Sequence, residues 1–193
     1  MILPDEKLLD ILHRDALAYS VYADSYLEFW HTRSKRDEVH HTRVFFGRDN
    51  FMHLVGVNSR TCSAFSFYEK CLDGSIRIED CSPTHDVNNR NTRAQLFESL
   101  FNFSHSKIYR IGEKDLSTSK NDFDIATGNN QGTIGYSNRY RKTKAIPITL
   151  TDRPIQFYCS ETERILAVLL RKTTADTGEL IFEITNGLFE ELI

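Results

Sequence analysis

From Lys107 to Thr185 the apolar residues recur with a period near two, whereas before it they recur at three and four, and that switch restricts the fold class. Six stretches (108–111, 123–126, 133–136, 146–150, 165–172 and 180–185) alternate or are rich in β-branched and aromatic residues, so each reads as a strand. Ile165-Leu166-Ala167-Val168-Leu169-Leu170 is apolar at every position, as a central strand covered on both faces requires, although periodicity alone also permits a helix. Gly128-Asn129-Asn130-Gln131-Gly132 has the composition of a hairpin connection. Helices first and strands second give an α+β fold, with N-terminal helices packed on a mostly antiparallel sheet.

The first half supplies those helices. Leu9, Leu12, Ala16, Tyr19, Ala23, Tyr26 and Trp30 follow one another at three and four, which predicts a long amphipathic helix through Trp30. With the charged run Ser34 to Glu38 read as a solvated connection, residues 1–36 form an N-terminal helical unit and 37–193 the α+β domain. That seam suits core packing or a homodimer contact. A strand over 38–46 leads into a short helix capped by Asp49 or Asn50, with Phe51, Leu54 and Val55 inward and His53 on the flank. A second helix over 60–72, stopped at Asp73-Gly74, sets Ala64, Tyr68, Cys71 and Leu72 on one face and Ser63, Ser66 and Lys70 on the other. The capping-box residues Thr92-Arg93-Ala94-Gln95 open a third, whose Leu96, Phe97, Leu100, Phe101 and Phe103 present apolar surface to a sheet.

A formal charge of -3 argues against a generic polyanion binder, although a local basic patch remains compatible with it. Four irregularly spaced cysteines make neither a disulfide framework nor a zinc ribbon. Cys71, Cys81 and His85 have no standard ligand spacing, and the adjacent His40 and His41 point to opposite faces of a strand, so no metal site and no cofactor are expected. No apolar run is long enough to span a membrane and no signal peptide opens the chain, which predicts a cytoplasmic protein. Walker, nucleophile-elbow, dinucleotide and zinc-helix motifs are absent.

The clearest chemical signal is basic and aromatic. Tyr136 to Lys144 carries Arg139, Arg141, Lys142 and Lys144 with Tyr136 and Tyr140 and no acid, a pattern in which cations hold phosphates and rings stack on unpaired bases. An ordinary exposed basic loop explains the same residues. If the ligand is RNA, its own 2′-hydroxyl can attack the neighbouring phosphorus. Cleavage then needs a base, an acid and charge-stabilising donors. His53 suits the base or acid, Lys70, Arg93 and Arg139 the charge, and Tyr136 and Thr149 the orientation of oxygen atoms. Each also has a plain structural role open to it, as a helix-flank, solvated surface or strand residue.

Ordered blocks carry a resemblance. Asn50-Phe51-Met52-His53-Leu54-Val55-Gly56, Phe67-Tyr68-Glu69-Lys70-Cys71-Leu72-Asp73-Gly74, Gly128-Asn129, Gly132 with Ile134-Gly135-Tyr136, Pro147 with Thr149-Leu150, and Arg164-Ile165 with Lys172 resemble the phage-associated nucleases of the barnase, EndoU, colicin and RelE superfamily. The resemblance covers about residues 44 to 172 and implies helices on an antiparallel sheet of four or more strands, with the active site on the exposed sheet face and the helix preceding it. It also implies metal-independent RNA cleavage in phage, mobile-element or toxin settings, with RNA and an antitoxin or inhibitor protein as partners. By matching blocks, His53, Lys70, Tyr136 and Thr149 inherit candidate catalytic roles, while Asn129 is also suited to holding a turn; the RNA-binding candidates Arg93, Arg139, Tyr140, Arg141 and Lys142 rest on their charge and rings, outside those blocks. Val55 stands where a hydroxyl residue is expected.

Two readings follow. One is a metal-independent RNA endonuclease of the toxin or phage-effector type. The other is a non-catalytic nuclease-like module that binds RNA or a protein partner, which the overall acidity and Val55 favour.

Overall fold

The structure, a computed structural model, describes residues 5–34, 36–83, 96–97, 100–101, 109–115, 122–138, 145–172 and 179–185. In chain order the elements are helix α1 (Asp5–Ser20), strands β1 (Ser25–Thr32) and β2 (His40–Phe46), helix α2 (Asn50–Leu54), β3 (Val57–Asn58), helix α3 (Ala64–Leu72), β4 (Ser82–Pro83), β5 (Arg110–Glu113), β6 (Ile125–Gly128), β7 (Thr133–Ser137), β8 (Ile146–Thr151), β9 (Glu163–Lys172) and β10 (Glu179–Thr185). The class is α+β, and the strands expected after Lys107 are all present, shifted by a residue or two at their ends.

Eight strands form one antiparallel sheet in the order β2-β1-β9-β5-β6-β7-β8, with β10 also paired to β9. β9 is the hub. Along one edge it pairs with β1 from Ser25↔Lys172 to Thr32↔Arg164; along the other its first residues meet β5 and its later ones β10. Ile165, Leu166, Ala167 and Val168 are all buried, as a strand covered on both faces must be. The sheet then curls until its two ends meet, where Phe45 N–H donates to the Ala145 carbonyl at 2.8 Å in a parallel bridge between Val44 and Ala145. β3 and β4 make a separate two-stranded ribbon.

α1 ends ten residues before the seam predicted. Leu8, Leu12, Ala16 and Tyr19 are buried along one face, but Tyr22 and Ala23 N–H both turn back to the Tyr19 carbonyl and Asp24 takes φ 56°. Ser25 onward is strand, so the expected helix through Trp30 is corrected to a helix, a turn and a strand of the main sheet. Pairing on both edges decides it, since β1 is hydrogen-bonded to β2 and to β9 over its length. Leu27 and Phe29 point inward and are fully buried, while Tyr26 and Trp30 lie on the other face. On that face the Glu28 carboxylate accepts from Arg43 Nε at 2.9 Å and Arg171 Nε at 3.1 Å, tying three neighbouring strands together.

Tyr19 organises the helical side. Its ring lies within 6.2 Å, centroid to centroid, of Phe46, Phe51, Tyr68, Phe97 and Phe101, and its hydroxyl donates to the Gly47 carbonyl at 2.8 Å. Each buried phenylalanine there contributes about 1.5–3 kcal/mol by leaving water. α3 starts at Ala64 rather than Arg60, because Ser59 Oγ accepts from Thr61 and Cys62 N–H and holds those residues in a loop. Ser63 then caps the helix by accepting from Ser66 N–H. Of the third helix, Leu96, Phe97, Leu100 and Phe101 are helical, and Phe97 stacks on Phe101 at 4.3 Å; its expected capping box and Phe103 lie outside the described residues.

A smaller cluster of Phe123, Ala126, Ile155, Tyr158 and Cys159 covers the opposite face of β6 to β8. The hairpin between β6 and β7 is held by Asn129, whose buried side chain accepts from Gln131 N–H at 2.7 Å and Gly132 N–H at 3.1 Å. Asn129 therefore serves the turn.

Candidate functional site

The four side chains expected to share a catalytic pocket occupy different places. His53 is exposed on the flank of α2 and lines a cleft of about 460 Å³ with Asp49, Asn50, Ala64, Asp122, Ile146 and Ile148. Lys70 lies in another, beside Ser75, Arg77 and Glu79, where its Nζ donates to Asp80 Oδ2 at 2.9 Å. The Thr61 hydroxyl and then Lys70 hold the Asp80 carboxyl below its ordinary range, and Asp80 in turn raises the Lys70 ammonium.

Tyr136 is sealed in the core with no exposed surface, packed near Phe29 and Phe46, and its hydroxyl bonds Thr127 Oγ1 at 2.5 Å. Burial pushes its phenol up, so it stays protonated. β7 is buried at every position, and the polar tip of Tyr136 is satisfied inside. Thr149 pairs with Gly135, one residue from Tyr136 and so on the other face of the sheet, beside the Phe123 ring. Arg93, Arg139, Tyr140, Arg141 and Lys142 lie outside the described residues.

A different constellation does converge. β1 and β2 pair with His31 opposite His40, which sets both imidazoles on one face at the end of the hairpin, and Thr42 follows on the same face. Opposite Trp30 and His31 the register with β9 slips by one residue, Leu166 being the extra one, and this bulge in β9 brings Glu163 onto the face that carries His31. The result is a hydrogen-bonded chain: His31 Nδ1 lies 2.6 Å and His40 Nδ1 3.0 Å from Glu163 Oε2, and His31 Nε2 lies 2.9 Å from Thr42 Oγ1. An ionised carboxylate only accepts, so each Nδ1–H donates to Glu163 and His31 Nε2 accepts from the Thr42 hydroxyl.

Burial sets the protonation states. It pushes the His31 pKa down, and the opposing pull of Glu163 does not restore it, so the ring is neutral near pH 7. For Glu163 burial pushes up, but the hydrogen bond and charge of His31 and then of His40 outweigh it, and the carboxyl titrates below its ordinary range. His31 is 10% exposed and His40 is 51%, so His40 is the imidazole that solvent reaches.

These residues line a cleft of about 610 Å³ at one end of the curl, with Ile111 and Ile125 at its apolar side. Its far wall is the loop at Ser160 and Glu161, pinned where Ser160 N–H and Oγ donate to Asp115 at 2.8 and 3.0 Å. Gly112 permits that wall to sit so close, since a Cβ there would meet the Glu161 carbonyl oxygen at 2.6 Å. Arg33 pairs with Glu161 and reaches Glu163 Oε1 at 3.9 Å. Glu113, Asp115, Glu161 and Glu163 face two fixed cations, Arg33 and Lys114, so the cleft carries a surplus of carboxylate.

Reading the sequence missed His31 and Glu163. The only visible signal was His40, set aside because His41 points away from it; it does, and packs at a tilt against Trp30 at 4.8 Å on the other face.

An α+β body with an ionisable cleft at the mouth of a curled sheet has the form of a small ligand-binding or catalytic domain. The chain belongs to the phage-Barnase-EndoU-ColicinE5/D-RelE like nuclease4 family, whose model matches residues 11–185. No curated protein and no solved structure matches it. Among the described residues no helix is long and apolar enough to cross a membrane.

Proposed function

We propose that this chain is an RNA endonuclease that cleaves by attack of a 2′-hydroxyl on the adjacent phosphorus, and that the cleft at His31, His40 and Glu163 is where the protons move. Membership of a nuclease-like family supports this reading. The observation that carries the assignment is Glu163 held between two imidazoles at an open cleft.

In this reading His40, the solvent-reached imidazole, exchanges a proton with the reacting ribose or the departing 5′-oxygen. Glu163 orients His40 and stabilises it when it is protonated, in the manner of a carboxylate behind a catalytic histidine. Arg33 is the cation placed to meet phosphate once substrate displaces Glu161 from it. This chemistry needs no metal, because the nucleophile belongs to the RNA.

Purified protein should cut single-stranded or transfer RNA in EDTA, leaving a cyclic phosphate. His40→Ala should slow cutting by roughly 10²-fold or more, and His53→Ala should not. The reverse pattern would move the chemistry to the α2 cleft and refute this assignment.

A second reading is a nuclease-like module that binds RNA or a protein without cutting, and the surplus of carboxylate in the cleft favours its protein branch. RNA retention that falls steeply with salt and yields no product would select it. Under the first reading the protein is a cytoplasmic toxin or phage effector, and an antitoxin or inhibitor would act by covering this cleft.

A further inference from the structure

The His31, His40 and Glu163 cluster has a property that proton transfer does not require. One ligating atom from each of the three lies within 4.8 Å of the others, so side-chain movements of about 1 Å bring all three onto one ion of the zinc type. Two imidazoles and one carboxylate form a borderline donor set, suited to zinc and its transition-metal neighbours and unsuited to magnesium or calcium, which take oxygen shells. Three protein ligands with an open side are the arrangement of an accessible zinc site, and here the open side is the cleft.

Two further observations point the same way. Thr42 Oγ1 sits on the far nitrogen of His31, the outer-shell partner that fixes a ligating imidazole. The cleft's carboxylates also outnumber its fixed cations, a field that draws a divalent cation in.

We propose that His31 Nδ1, His40 Nδ1 and Glu163 form a site for a divalent transition cation of the zinc type, and that occupancy switches the cleft off. On binding, each imidazole changes tautomer through solvent: its Nδ1–H bond breaks, an Nε2–H bond forms, the ring stays neutral, and the Thr42 hydroxyl turns to accept from His31 Nε2. With Nδ1 on the ion and the proton on Nε2, His40 has no lone pair left to take a proton from substrate. Binding stands on geometry alone; the inhibition rests on the nuclease reading above.

The test uses the full chain without a histidine tag, stripped with EDTA and then titrated with zinc against a chromophoric chelator. The expected result is one zinc per chain and a melting temperature that rises with zinc. Affinity should fall by more than about 100-fold in His40→Ala and Glu163→Gln and by roughly 10–100-fold in Thr42→Val, and should hold in His53→Ala. Magnesium should not compete. Absence of saturable binding, or binding indifferent to Glu163→Gln, overturns the site. RNA cutting in EDTA separates the two claims: cutting that zinc stops supports both, and zinc binding without any cutting sinks the nuclease reading while the site stands. Cutting that appears only with zinc overturns the inhibition.

Discussion

Tyr136→Phe separates the catalytic expectation from the observed placement more cleanly than any other single change. It removes one oxygen from a ring that has no exposed surface and leaves ring packing against Phe29 and Phe46 intact. The oxygen removed is the partner of Thr127 Oγ1, itself fully buried. The net hydrogen bond contributes about 0.5–1.5 kcal/mol, and stranding the Thr127 hydroxyl costs about 1–3 kcal/mol. Because a threonine hydroxyl rotates and retains both a donor and acceptor capacity, the full second cost is not incurred, and a loss of about 1–2 kcal/mol is expected. At roughly 2–4 °C per kcal/mol for a chain of this size, melting should fall by about 2–8 °C. RNA cutting, measured under single-turnover conditions well below the melting range, should be unchanged. A normal melting curve with cutting slowed by roughly 10²-fold would mean that the hydroxyl meets substrate, and the buried account of Tyr136 would be wrong.

Gly112→Ala should push a methyl into the Glu161 carbonyl, shift the wall of the cleft, and cost about 1–3 kcal/mol together with cutting activity; unchanged melting and unchanged rate would show that the wall is not seated there. Glu28, 3% exposed, has burial pushing its carboxyl up but Arg171 and Arg43 pulling it further down, so its folded pKa lies below the ordinary 4.5. Its contribution to stability is therefore complete above about pH 4.5 and is lost as pH falls through the lower folded value. Glu28→Gln should lower stability by about 1–3 kcal/mol at pH 7, discounted because both arginines remain partly exposed, and should flatten the acid limb of melting temperature against pH. An acid limb as steep as the parent's would assign it to other groups. Lys70→Ala should leave RNA cutting intact, since that ammonium is committed to Asp80 away from the cleft; a loss of cutting with Asp80→Asn unaffected would return Lys70 to the site.

The part of the fold legible in the sequence is the part whose periods are unambiguous. Alternation after Lys107 located the later strands, and the unbroken apolar stretch marked β9 as central because a strand buried on both faces has no polar side to show. The α1 seam was legible through Tyr19 and illegible beyond it for one geometric reason. Tyr26 and Trp30 stand four apart, a spacing that returns a side chain to the same face of a helix and, being even, to the same face of a strand. What decides between the two is β9, whose residues lie more than a hundred positions along the chain and so leave no local trace. The burial of Tyr136 was illegible for a related reason: strand period tells which side a residue faces, and β7 is covered on both sides.

That single degeneracy also hid the cleft. Placed at the end of a helix, His31 has no relation to His40; placed in a strand whose hairpin returns at His40, the two fall opposite each other, and His40-His41 ceases to be a pair pointing apart and becomes one member of a cross-strand pair. Glu163 then completes the set, because β1 pairs with β9 and the bulge at Leu166 turns the first residue of that strand onto the face of His31. The site is thus a product of topology, assembled where a hairpin end meets the hub strand. A change that straightens the bulge should disperse the cluster while leaving the sheet paired. This separates the chemistry of the cleft from the stability of the body around it, and explains why blocks of resemblance centred on α2 and α3 identified the family without locating the residues that meet.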